Sequence, residues 1–74
     1  MSAEHLAQMA NDIAHFFASE TRHEDAIAGI ANHIDKFWDP RMRRQIEKHL
    51  AEGGEGLEPL AREAVARLTA AVTT

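Results

Sequence analysis

The chain has no cysteine. Disulfides, thiolate metal sites and thiol nucleophiles are therefore all excluded, and the absence accords with a reducing compartment. No stretch approaches the roughly 20 consecutive apolar residues of a membrane span. The first residues do not follow the basic-then-apolar plan of a signal peptide. We expect a soluble cytoplasmic protein with no membrane partner. There is no excess of positive charge: the 74 residues sum to a net charge of -4, which speaks against general nucleic-acid binding. No alternation of strand period, no internal repeat and no low-complexity linker is present.

What is there is short and helical in rhythm. Seventy-four residues make one domain, 1–74. A chain of this size buries only about 60% of the surface its unfolded form exposes. Small folds without disulfides usually lean on a metal or a partner. Leu6, Met9, Ala10, Ile13, Phe16 and Phe17 fall on one helical face. Ser2 is a suitable N-cap for this first helix, which should fade near Ser19. Thr21 and Glu24 have the spacing of a capping box and mark a second start. Ala26, Ile27, Ile30, Ala31, Ile34, Phe37 and Trp38 then face inward, an arc wide enough to make helix two the expected centre of the fold.

Only two prolines occur, and each is placed to open a helix. Proline disfavours the α conformation in the residue before it, so Asp39 ends helix two. Asp39 also serves as N-cap of helix three, with Pro40 in its first position. Met42, Ile46, His49 and Leu50 form the apolar face of that helix. Gly53-Gly54 supplies its stop, since glycine takes the left-handed conformation cheaply. Pro59 starts helix four, whose inward face is Leu60, Ala61, Ala64, Val65, Leu68 and Val72, with Leu57 stapling the entry. Thr73-Thr74 should fray. The expected fold class is all-α, a small compact domain of four short helices.

Enzyme signatures are thin. His5, His15, His23, His33 and His49 never pair at i, i+3 or i+4, so they read as solvated or helix-edge residues. Gly53–Gly56 is glycine-rich but lacks the Lys-Ser/Thr of a phosphate loop. No serine or threonine sits in a nucleophile turn. Gly29, inside helix two, costs about 1 kcal/mol against alanine. It marks either the close approach of a partner's backbone or tight packing within this chain.

One stretch stands apart. "KFWDPRMRRQI", Lys36 to Ile46, packs two aromatics and three arginines around the Asp39-Pro40 corner. Arg41, Arg44 and Lys48 share the face opposite the apolar one, and Arg43 flanks that apolar face within reach of Glu47 at i+4. Arginine in a first turn opposes the helix dipole by about 0.3–1 kcal/mol per exposed charge. Two readings follow. Either an acidic group from outside answers these arginines, with Trp38 as an interface anchor, or Trp38 seals the core beside a solvated basic face.

The segments "QMANDIAHFF" (Gln8 to Phe17), "AIAGIANHIDKFWDPRMRRQI" (Ala26 to Ile46) and "GGEGLEPLAREAVARL" (Gly53 to Leu68) resemble the small delta subunit of cytoplasmic NAD-dependent, molybdenum-containing formate dehydrogenases. The likeness runs from Leu6 to Leu68. It is sharpest in "FWDPRMR", in "MAN" (Met9 to Asn11) and in the run Gly54 to Leu60. The resemblance implies a non-catalytic accessory subunit that binds and stabilises the large molybdenum-containing subunit. In such complexes the molybdenum with its two molybdopterin guanine dinucleotides, the iron–sulfur clusters, FMN and the NAD site lie on other subunits. No catalytic, cofactor or metal residues carry over. Phe37, Trp38, Asp39, Pro40, Arg41, Met42, Arg43, Arg44 and Lys48 become the candidate partner-binding residues. An alternative is a maturation factor that takes up the anionic molybdenum cofactor through Arg41, Arg43, Arg44 and Lys48. A third reading makes helix three a DNA reader, against which stand the negative charge and the very short turn before it.

Overall fold

The computed structural model describes residues 2–19 and 22–72, with their side chains as far as Thr69. Among the described residues there are four helices and no strand: α1 (Ala3–Phe17), α2 (His23–Phe37), α3 (Pro40–Ala51) and α4 (Pro59–Val72). The all-helical expectation holds. Ser2 caps α1 by accepting from the His5 N–H at 3.1 Å. Thr21, expected to cap α2, lies outside the described residues. Arg22 is the N-cap of that helix and gives it no side-chain hydrogen bond, and Glu24 and Asp25 supply negative charge to the first turn instead. Val72 and the Thr73-Thr74 end also fall where no side chain is described.

The core is one cluster. Leu6 from α1, Ile30 and Ile34 from α2, Ile46 from α3 and Val65 from α4 are its largest fully buried side chains. Each contributes about 1.5–3 kcal/mol by leaving water. α2 is not the one central helix: α1 packs against all three others, and so does α4. Ala61 and Ala64 of α4 are wholly buried, and such small residues let neighbouring helices approach closely. α2 packs on α1 and α4 but scarcely meets α3.

Two phenylalanines depart from the expected inward face. Phe16 is 77% exposed and Phe37 is 71% exposed. Phe17 takes the inward-leaning place at the end of α1, and Phe16 meets it edge-on with ring centroids 5.1 Å apart. Phe37 is the last residue of α2. The chain turns extended at Trp38, so the wheel that placed Phe37 inward no longer applies there. Its ring leans instead on His33, 4.7 Å between centroids.

The α3–α4 connection is heavily tied. α3 ends in a Schellman pairing: the Gly53 N–H donates to Leu50 O at 3.0 Å and the Gly54 N–H to His49 O at 2.9 Å. Gly53 and Gly54 have φ of 123° and 64°, conformations that other residues enter only under strain. Arg62 reaches back from α4 and donates to both Gly53 O (3.1 Å) and Gly54 O (3.0 Å). Asn11 of α1 donates from Nδ2 to Gly56 O at 2.7 Å and accepts the Glu58 N–H at 2.9 Å. Leu57, between those two residues, is thereby held in the core.

Candidate docking surface

The corner between α2 and α3 is built by two residues. Pro40 keeps Asp39 extended, at φ -72° and ψ 164°. The Asp39 carboxylate accepts the Met42 N–H at 2.9 Å, and its carbonyl accepts the Arg43 N–H at 3.1 Å. Asp39 is thus the N-cap and Pro40 the first helical residue, as their order in the sequence predicts. Trp38, the C-cap of α2, donates its N–H to Ile34 O at 2.9 Å. Its indole is only 5% exposed and belongs to the core cluster.

The nine candidate partner-binding residues therefore separate by environment. Trp38 and Met42 pack on or in the core. Asp39 and Pro40 make the turn. Arg43 does not pair with Glu47: its Nη1 donates to Asp35 Oδ1 across to α2 at 2.7 Å. Periodicity along α3 offers Glu47, but the short corner brings the start of α3 close to the end of α2 and puts Asp35 in reach. The Arg43 Nε is buried and has no acceptor. Phe37, Arg41, Arg44 and Lys48 are exposed. Among the described residues neither arginine nor Lys48 has an ion-pair partner, and the first turn of α3 contains no acid.

Beside the corner, α2, α3 and α4 enclose an open groove of about 540 Å³. Ala28 and Ala31 lie along it, and Arg43, Arg44 and Arg67 border it.

Three of the five histidines brace the fold with their rings. His15 meets Glu58 at 2.8 Å, His23 meets Glu63 at 2.6 Å, and His49 donates to Glu55 O at 2.6 Å. The His15 pKa is raised, first by its hydrogen bond to Glu58 and then by the charges of Glu58 and Asp12. Among the described residues no three His, Asp or Glu side chains gather closely enough to hold a metal ion. Nor is any helix there long and apolar enough to cross a membrane. Gly29 faces the ring of Phe17, so its slack serves packing within this chain.

Sequence reasoning passed over Asn11, Asp35, Glu58 and Arg62 as side chains with a task. Asn11 lies in "MAN" and Glu58 in the Gly54–Leu60 run, two of the sharpest elements of the resemblance. The pairing of those elements in space was the missing observation.

Fold and corner together define a small all-helical domain whose polar residues mainly brace its own turns and whose α2–α3 corner carries two arginines, Arg41 and Arg44, without an ion-pair partner among the described residues. Residues 5–65 match the sequence model of the NADH-dependent formate dehydrogenase delta subunit FdsD, and the chain belongs to that family. It is thus a delta subunit of a formate dehydrogenase complex, with partner subunits. No curated protein and no solved structure matches it.

Proposed function

We propose that this chain is a non-catalytic accessory subunit that binds and stabilises the large, molybdenum-containing subunit of a cytoplasmic NAD-dependent formate dehydrogenase. In this reading molybdenum, iron–sulfur clusters, FMN and NAD are held by the other subunits. The observation that carries it is the α2–α3 corner. Buried Trp38 and the Asp39 cap make that corner rigid, while Phe37, Arg41 and Arg44 stand exposed on it, Lys48 continues the basic face toward the last turn of α3, and none of these three cations has an ion-pair partner among the described residues. An exposed aromatic next to arginines is the composition from which interface anchors are drawn.

Charge reversal tests it. Replacing Arg41 and Arg44 with Glu puts one acid into the first turn of α3 and one just after it, which favours the isolated helix by a few tenths of a kcal/mol at Arg41 and less at Arg44. The same change sets like charges against an acidic partner, where contacts of this kind are worth about 2–5 kcal/mol. The double variant is expected to melt at or above the wild-type temperature and to be lost from the purified complex. Normal retention would remove the corner from the interface. Stoichiometry separates this role from the carriage of the molybdenum cofactor during maturation: a subunit stays in fixed proportion, a carrier does not.

A further inference from the structure

We infer that the groove between α2, α3 and α4 receives an acidic segment of the partner subunit, whose carboxylates are gripped by Arg44 and Arg67. The inference rests on the docking reading above and extends it to α4, an element remote in sequence from the corner.

The size is suitable: about 540 Å³ lies within the usual range of binding clefts. Ala28 and Ala31 put nothing beyond a β-carbon along the groove, so a peptide main chain can come close to α2. Asn32 borders the same space and offers an amide to that main chain.

The charges select the occupant. Arg43 is committed to Asp35, so these two cancel. Arg44 and Arg67 have no hydrogen-bond or ion-pair partner among the described residues. Glu47 is the one remaining acid bordering the groove. Two free guanidinium groups against one carboxylate leave a single net positive charge, in a chain whose total is -4. A polyphosphate would bring several negative charges into contact with Glu47. Single carboxylates on a peptide fit better, since each can take two parallel hydrogen bonds from one guanidinium. Pro40, at the positive end of α3, borders the groove as well, and that end favours an anion.

The test uses the assembled enzyme, with affinity measured between this chain and the remaining subunits. Arg67→Glu is expected to weaken binding about tenfold or more, and Arg67→Lys, which keeps the charge but loses the paired hydrogen bonds, to weaken it less. Arg67 is exposed and unpaired, so the free chain should keep its melting temperature. Ala28→Trp fills the groove without changing any charge and should weaken binding in the same way. Wild-type affinity in both Arg67→Glu and Ala28→Trp would overturn the inference. If Phe37→Ala or Arg41→Glu still releases the chain in that event, the docking reading survives and only the groove is lost. If those variants also bind normally, both readings fall. Two further results would overturn it: pyrophosphate saturating the Arg44 and Arg67 amide shifts of the free chain while Arg67→Glu leaves the complex intact, or a self-association of the free chain that Arg67→Glu abolishes.

Discussion

The ring of Phe17 fills the space over the Cα of Gly29: a β-carbon there would lie 2.6 Å from Cε1 and 2.7 Å from Cδ1. Alanine at 29 gains about 1 kcal/mol of helix propensity. Against this, overpacking costs about 1–3 kcal/mol unless the ring swings away. Gly29→Ala should therefore lower the melting temperature slightly in the wild type. In a Phe17→Ala background the clash is absent, and the same substitution should raise it. Equal effects in both backgrounds would mean that the ring does not define this site.

Asn11 ties α1 to the segment before α4 through two hydrogen bonds, to Gly56 O and from Glu58 N. Each is worth about 0.5–1.5 kcal/mol net. Asn11→Ala should cost about 1–2 kcal/mol by chemical denaturation, with water replacing part of the loss. Asn11→Asp keeps the acceptor for Glu58 but removes the donor and sets a carboxylate beside the Gly56 carbonyl. It should not recover the stability.

Asp39 carries both a cap and a charge. Asp39→Ala loses the hydrogen bond from the Met42 N–H and should cost about 1 kcal/mol. Asp39→Ser keeps an acceptor and should recover much of it. A melting temperature unchanged by Asp39→Ala would show that Pro40 alone starts α3.

The His15–Glu58 pair makes stability depend on pH. The folded pKa of His15 lies above its ordinary value of 6.5, because protonated imidazole is held by the Glu58 carboxylate. A raised folded pKa means that the stabilisation is complete below the unfolded value and disappears as pH rises through the folded one. Wild-type stability should thus fall as pH rises from 6.5 through the folded His15 pKa, by more than that of His15→Gln. Glu58→Gln should return the His15 titration, followed by NMR, toward its ordinary position.

The features that sequence conveyed are those written in neighbouring residues. Asp39-Pro40 makes its corner, and Gly53-Gly54 its stop, through bonds spanning a few positions. The apolar stripes hold wherever a helix continues on both sides. They fail beside two helix ends: at Phe16, where Phe17 leans inward instead, and at Phe37, where α2 runs out and Trp38 takes the buried place. The partner of Arg43 could not be read from α3 alone, because the choice between Glu47 and Asp35 depends on how the corner sets the start of α3 against the end of α2. The grip of Asn11 on Gly56 and Glu58 joins parts of the chain far apart in sequence, and no spacing rule reaches that far. At the candidate docking surface, composition drew attention to the corner but could not sort exposed from buried members. Arg67 went unmarked because its place beside Arg44 exists only after α4 has packed.

The glycine-rich turn before α4 has a consequence for cooperativity. Glycine loses more conformational freedom on folding than any other residue, so a run containing Gly53, Gly54 and Gly56 would ordinarily open by itself, well before the helices around it. Here the turn and the residue that follows it are fastened by side chains from three helices: Asn11 and His15 from α1, His49 from α3 and Arg62 from α4. Opening it means releasing all of them at once. The segment with the greatest freedom in the unfolded chain is therefore tied to the global transition, and a domain of this size gains an all-or-none character that its small core would not provide.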